Sequence, residues 1–248
     1  MLNPIEEAKF AKLRVLAVEL GVPSPPEIMI GLKVHDKNGT LVFDDIQRGH
    51  SWTRNFYNML FASSCDVIGD GANNFGAGYM SGKRTDATLG YSASYSTVRA
   101  NTSGDGSVAV LGAGLGNNST DATFGVVVGT DNTAFSAEQY GLIAIIASGN
   151  GAGQFAYNTM AAPVASYTAG TKTWKNTVVR IFNNNSGGSI TVKEVGLIFS
   201  WLMFTNTGSS PSKKYLMERS VLSPTVAVAN GAQLTVTYEV SMDFSAID

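Results

Sequence analysis

Residues able to do acid–base, nucleophilic or metal chemistry are sparse in this chain, and their spacing brings few of them together. Histidine occurs only at His35 and His50, and cysteine only at Cys65. One thiol excludes an intrachain disulfide and thiolate clusters of the CxxC kind, and two imidazoles are too few for a histidine-rich metal site. A Ser–His–acid triad needs a histidine within reach of its nucleophile. His50 stands before Ser51 and Trp52, where a helix is expected to begin, so it reads as a capping or surface residue rather than a base. Asp44 and Asp45 are adjacent on an expected strand, where neighbours point to opposite faces and do not share a substrate. Asp66, Asp70 and Asp105 lie in glycine-rich turns and offer hard oxygen ligands for a calcium ion, but no glutamate stands at the EF-hand offset. No catalytic residue, cofactor site or metal ligand is assigned on this reading.

The glycine motifs lack the context that phosphate chemistry needs. Gly112, Gly114 and Gly116 follow an expected strand, as a dinucleotide fingerprint would, but the next segment reads as another strand. The helix whose N-terminus would hold a pyrophosphate is missing. Gly149, Gly151 and Gly153 share the defect. The 17 Lys and Arg are dispersed, with doublets only at Lys83–Arg84 and Lys213–Lys214, and the net charge is −2. That pattern provides no basic field for nucleic acid and no polybasic membrane signal. Asn-x-Ser/Thr sequons at Asn38, Asn101, Asn117, Asn118 and Asn184 follow from composition, since the opening stretch has no apolar export segment. The apolar run from Val195 to Phe204 is too short to span a bilayer, so a cytosol-made, soluble protein is expected.

Gly, Ser, Thr and Asn make up 90 of the 248 residues, while Asp, Glu, Lys and Arg make up 15%. Ordinary soluble domains carry roughly 25% charged residues, so hydroxyls and amides must coat this surface. With 44% hydrophobic residues the chain can still build a core, which excludes wholesale disorder.

The elements that would position these residues are mainly β. A helix is expected over 4–20, with Asn3 as N-cap, Pro4 at its first position and Gly21 and Pro23 ending it. Phe10, Leu13, Ala17 and Leu20 form its apolar stripe, which docks either on its own domain or on a neighbouring subunit. Prolines 23, 25 and 26 stiffen the linker, so residues 1–26 read as a helical arm. Residues 29–34 and 41–43 form a hairpin across Asp36–Gly39, where Asn-Gly supplies positive φ values. A second helix is expected from Ser51 to about Ala62, buried on several sides through Trp52, Phe56, Tyr57, Met59 and Leu60.

The stretch 66–106 is dense in Gly, Ser, Asn and Tyr without apolar periodicity, and the hairpin, short helix and this excursion make up 27–106. Tyr79, Tyr91 and Tyr95 on that background suit an adaptable contact surface, where tyrosine gives area at low entropy cost; an ordinary surface excursion is the other reading. From 107 to 248 the chain reads as strand after strand: 107–111, 123–128, 141–147, 173–182, 189–204, 214–222, 225–228 and 233–243. Turn residues punctuate them, as in an antiparallel β-sandwich or jelly roll. Residues 27–248 are equally readable as one domain.

The half of the chain from Phe124 to Phe244 resembles the β-rich C-terminal modules of structural proteins from tailed bacteriophages. The resemblance is carried by Gly125–Thr130, Thr177–Gly188, Ile190–Leu197, Glu218–Pro224 and Gly231–Tyr238, in that order. It implies a virion component that works through lattice contacts with other virion proteins, such as the major capsid protein or tail proteins, and with copies of itself. Such a component needs no catalytic groups, so no enzymatic activity and no cofactor is expected, and the charge pattern gives no nucleic-acid or membrane partner. A capsid-decorating or minor capsid role is expected, with Phe10, Leu13, Leu20, Tyr79, Tyr91 and Tyr95 as contact residues. A tail or fibre component, or a receptor- or carbohydrate-binding module using Tyr79, Tyr91, Tyr95 or Trp174, is the alternative.

Overall fold

The computed structural model describes residues 2, 4–49, 52–58, 82–86, 89–90, 123–161, 163–202 and 212–245. The expected excursion 66–106 lies outside them except for 82–86 and 89–90, and so do the expected strand 107–111, the glycine run 112–116 and the expected N-cap Asn3. The chain is mainly β, with two principal antiparallel sheets.

Helix α1 covers Pro4–Leu20, as expected. Gly21, at φ +63°, ends it, and the amides of Gly21 and Val22 donate to the carbonyls of Val18 and Ala17 at 3.1 and 3.0 Å. This doubly bonded stop satisfies carbonyls that the helix would otherwise leave open. The hairpin forms from β1 (Glu27–His35) and β2 (Leu41–Arg48). Its turn differs from the expected one, because Gly39 alone adopts positive φ, at +81°. The Asp36 carboxylate accepts from the amides of Asn38 and Thr40, both at 2.8 Å, which stabilises a longer loop in which Asn38 keeps an ordinary conformation.

The remaining strands are β3 (Gly82–Lys83), β4 (Leu89–Gly90), β5 (Gly125–Gly129), β6 (Ala156–Tyr157), β7 (Val164–Thr168), β8 (Thr173–Asn183), β9 (Ile190–Leu202), β10 (Ser212–Val228) and β11 (Gln233–Asp243). The larger sheet runs β2-β1-β11-β8-β6, with β7 also on β8. The smaller runs β10-β9-β5, and β3 pairs with β4. The larger sheet therefore takes strands from both 27–106 and 107–248. Strand β11 sits at its centre, with Leu234, Val236, Tyr238 and Val240 inward in alternation with half-exposed residues. Ile28, Ile30, Leu32 and Val34 of β1 and Val178 and Phe182 of β8 join the same buried cluster as Val126, Val128, Val195 and Leu197 of the smaller sheet.

Three expectations change. The expected strands 214–222 and 225–228 are one long strand, β10, which loses register with β9 between Val221 and Val226. Gln47 of β2 holds that irregularity: its Nε2 donates to the Pro224 carbonyl at 3.0 Å and its Oε1 accepts from the Ser223 amide at 2.9 Å. Residues 141–147 do not form a strand. They lie along the outer edge of β5, with a bridge from Ile145 to Gly129 and a hydrogen bond from Ile146 to the Val128 carbonyl at 2.9 Å. The second helix begins later than expected, at 54, and is described over 54–58. Trp52 is extended and bridges Glu218, and Thr53 donates through its amide to Met217 and through its hydroxyl to Leu216. The register shift between Leu216 and Glu218 frees those carbonyls, and pairing them outweighs another half-turn of helix.

Candidate interaction surface

Charged residues dock α1 on the larger sheet. Arg48, at the end of β2, is buried and donates to both carboxylate oxygens of Glu7 at 2.7 and 2.9 Å, and to Glu27 at 2.7 Å. Arg14 makes a two-point contact with Glu27 at 2.7 and 2.5 Å. The Phe10 ring lies 4.0 Å from the Arg48 guanidinium carbon, stacking an aromatic face on the cation. For Glu7, the Arg48 hydrogen bond holds the carboxyl below its ordinary range. For Glu27, burial works against ionisation, but the hydrogen bonds from Arg14 and Arg48 outweigh it and the net shift is downward. Two acids and two bases thus form a neutral chain, Glu7–Arg48–Glu27–Arg14.

With polar groups turned inward, apolar groups are left outside. Ala17 is buried and Phe10 half-buried, but Leu13 is 39% and Leu20 65% exposed. Val15, Leu16 and Val18 are exposed as well, as are Leu41, Val42 and Ile46 on β2, the edge of the sheet. The expected stripe is therefore split: Phe10 and Ala17 face the body, whereas Leu13 and Leu20 do not. Sequence reasoning missed Glu7, Arg14, Glu27 and Arg48. The available signal was Glu7 and Arg14, opposite charges two turns apart on one helix face.

The interior holds the groups that resemble a reaction centre. Glu218 accepts from the Tyr238 hydroxyl at 2.6 Å and from the Ser220 hydroxyl, and all three are buried. Burial pushes the Glu218 carboxyl up to about 7, against the lowering effect of its two hydroxyl partners and Arg219. Tyr238 is likewise pushed up by burial and by the neighbouring Glu218. On the other side of β10, Arg219 and Glu194 form a buried pair at 2.6 Å. Arg219 also donates to the Thr133 carbonyl at 2.9 Å and Gln139 at 3.2 Å, and Glu194 accepts from the Ala144 amide at 3.0 Å. This pair fastens the segment 131–144 over the smaller sheet. Arg180 of β8 donates to the carbonyls of Phe124 and Val126 at 2.9 and 3.1 Å, crossing from one sheet to the other. Each of these charged groups is buried and ties elements together.

Tyr79, Tyr91 and Tyr95, the acids Asp66, Asp70 and Asp105, and His50 and Cys65 lie outside the described residues. Asp44 pairs with Lys33 at 3.2 Å, whereas Asp45 is buried and accepts from Gln47 at 3.2 Å, so the two carboxylates serve different faces. Trp174 is half-buried on β8, between Tyr167 of β7 and Met242 of β11 in the ladder. Gly149–Gly153 forms a turn in which Gln154 accepts from the Gly151 amide at 2.9 Å, and β6 follows it. Among the described residues, no three His, Cys, Asp or Glu side chains are grouped to hold a metal ion. No helix among them is long and apolar enough to cross a membrane. Compared with family models, with curated proteins and with solved structures, the chain matches none.

Proposed function

We propose that this chain is a non-enzymatic structural protein of a phage virion, decorating or stabilising the capsid through contacts with other virion proteins. Its two sheets are read as the halves of a β-sandwich, held face to face by apolar side chains and by the Arg180 and Glu218 ties. One observation carries the reading: buried charges fasten elements together, while α1 and the edge strand β2 present leucine, isoleucine and valine outward. Ionic chemistry spent on rigidity and apolar chemistry spent on the surface are the division of labour that a contact protein needs. Mass spectrometry of purified particles tests the proposal. Recovery in many copies per particle, released together with the capsid shell, is the expected result. Absence from the particles overturns the reading, and recovery only with detached tails moves the protein from head to tail.

A further inference from the structure

The outward side of α1 carries a pattern of its own. Ala8, Ala11, Val15 and Val18 recur at spacings of three and four residues, and Val22 continues the series just past the helix. All five are exposed, Val15 at 58% and Val18 at 60%. A three–four alternation is the seam of helices that pair along their length, with Ala8 and Val15 in one set of core positions and Ala11 and Val18 in the other, and with Val22 beyond the Gly21 stop. Over a helix about 25 Å long, by the standard rise per residue, the seam follows one side of the cylinder. The dock to the body occupies a different side, through Glu7, Phe10, Arg14 and Ala17.

The residues flanking the seam decide what covers it. Glu7 and Arg14 flank it on the side next to the body, and Lys12 and Glu19, both exposed, flank it on the far side. When two such helices run parallel and in register, each inner flank meets the outer flank five residues further along its partner. That juxtaposition sets Glu7 against Lys12 and Arg14 against Glu19 of the second copy, two attractive pairs repeated by symmetry. A fully overlapped antiparallel arrangement instead sets Arg14 against Arg14 and Lys12 against Lys12. The contact also extends the ionic chain already in place: Lys12 of the copy, Glu7, Arg48, Glu27, Arg14, then Glu19 of the copy, with signs alternating throughout.

From the seam and its complementary flanks we infer that α1 is a self-association element, covered by the α1 helices of further copies of this chain in parallel register. Two heptads are too short to associate as free peptides, because ordering each helix costs more than so short a seam returns. Here the ordering is done beforehand, since Arg48 and Glu27 hold α1 at a fixed angle on each body. Parallel, in-register pairing closes copies around an axis along the helix, so the product is a ring of finite size and not an open filament. The inference rests on α1 alone and holds wherever the protein works, so its failure leaves the virion proposal standing.

Sedimentation of the full chain over a range of concentrations, with a cysteine probe, tests it. The wild-type protein is expected to form a discrete dimer or trimer. Reversing both outer flanks with Lys12→Glu and Glu19→Lys makes every flanking pair repulsive and is expected to weaken association about tenfold or more. Both side chains are exposed, so the circular dichroism and melting temperature of the dilute, dissociated protein should stay at the wild-type values. In a Cys65→Ser background, Val15→Cys is expected to cross-link rapidly to its counterpart in the second copy, whereas Leu16→Cys is not. A wild-type monomer at all concentrations overturns the inference. So does cross-linking of Leu16→Cys in place of Val15→Cys, or an unchanged association constant in the charge-reversed protein. A monomer in which Val15→Cys resists alkylation also overturns it, by showing that the chain covers its own helix.

Discussion

Tyr238 of β11 and Glu218 of β10 lie in different sheets, and their side chains meet at 2.6 Å in the middle of the core. A phenol and a carboxyl, both buried, tie the two sheets together. Burial penalises the ionised carboxylate more than its hydroxyl partners stabilise it, so the fold is most at ease with Glu218 protonated.

That preference sets a pH dependence. Glu218 titrates near its ordinary 4.5 in the unfolded chain and at about 7 in the folded one. Its contribution is complete below pH 4.5 and is lost as the pH rises through 7, a change of about 3 kcal/mol. Glu218→Gln keeps a neutral group of the same shape and should flatten this part of the profile. Urea midpoints at pH 5 and pH 8 check it: the wild type falls across the interval and the glutamine variant falls far less. Tyr238→Phe, which removes one partner of the buried acid, should cost about 1–3 kcal/mol at either pH.

The dock of α1 responds in the opposite sense. Glu7 and Glu27 have folded values below the ordinary one, so their contribution is present above pH 4.5 and is lost as the pH falls through the folded values. Acid should release α1 before it unfolds the sheets. Hydrogen exchange is expected to show residues 4–20 losing protection as the pH falls below 4.5 while β8 and β11 keep theirs. Arg48→Met should produce the same release at neutral pH, because it leaves the Glu7 carboxylate without its cation and Glu27 with Arg14 alone.

Arg219 and Glu194 offer a separate test. Removing one partner strands a buried charge, and Arg219→Met alone should cost about 3–5 kcal/mol. Pairing it with Glu194→Met should recover most of that loss, since an apolar pair of similar volume leaves no charge uncompensated. Thermal melts of the three variants read the cycle. Non-recovery in the double variant would show that the ties to 131–144 matter more than the charges do.

Gly129 is tied to the same place. A Cβ there would fall 2.7 Å from the Ala144 carbonyl oxygen and closer still to the Glu194 carboxylate, neither of which can retreat. Gly129→Ala should therefore loosen the 131–144 segment, making it the first site of proteolytic cleavage. Gly231 has only the Lys37 side chain nearby, 3.3 Å from such a Cβ, so its requirement is the backbone conformation at φ +79°. Gly231→Asn, which tolerates that conformation, should be nearly neutral and Gly231→Val should not.

Local patterns gave up the fold where one face meets core and the other meets solvent. Strand β11, expected over 233–243, was legible from end to end for that reason. Strand β10 read as two because Ser223-Pro224 is a turn signal, and nothing local reveals that Gln47, far away in sequence, will satisfy the displaced backbone. Residues 141–147 carry the apolar alternation of a strand, but they serve as a cover, with Ile146 inside and Ile143 and Ile145 largely outside. Strand β7 is exposed along its whole length, so no alternation marked it. The candidate surface was half legible. The helix was plain, but its orientation depends on Arg48 and Glu27, and a helical wheel cannot know that two distant charges will draw Glu7 and Arg14 inward and leave valine outside.

The adjacency of β1 and β11 has a consequence in time. Glu27 pairs with Ser241, and His35 with Gln233, so the inner neighbour of β1 is made about two hundred residues later. At a synthesis rate of about 5–20 residues per second, the nascent hairpin waits about 10–40 s with one flank bare and Ile28, Ile30, Leu32 and Val34 uncovered. The larger sheet cannot close on the ribosome until its last strand emerges, and until then a cell must shield that hairpin from its neighbours on the same message. Yield in expression should depend on the supply of holdase chaperones far more than the stability of the finished protein would suggest.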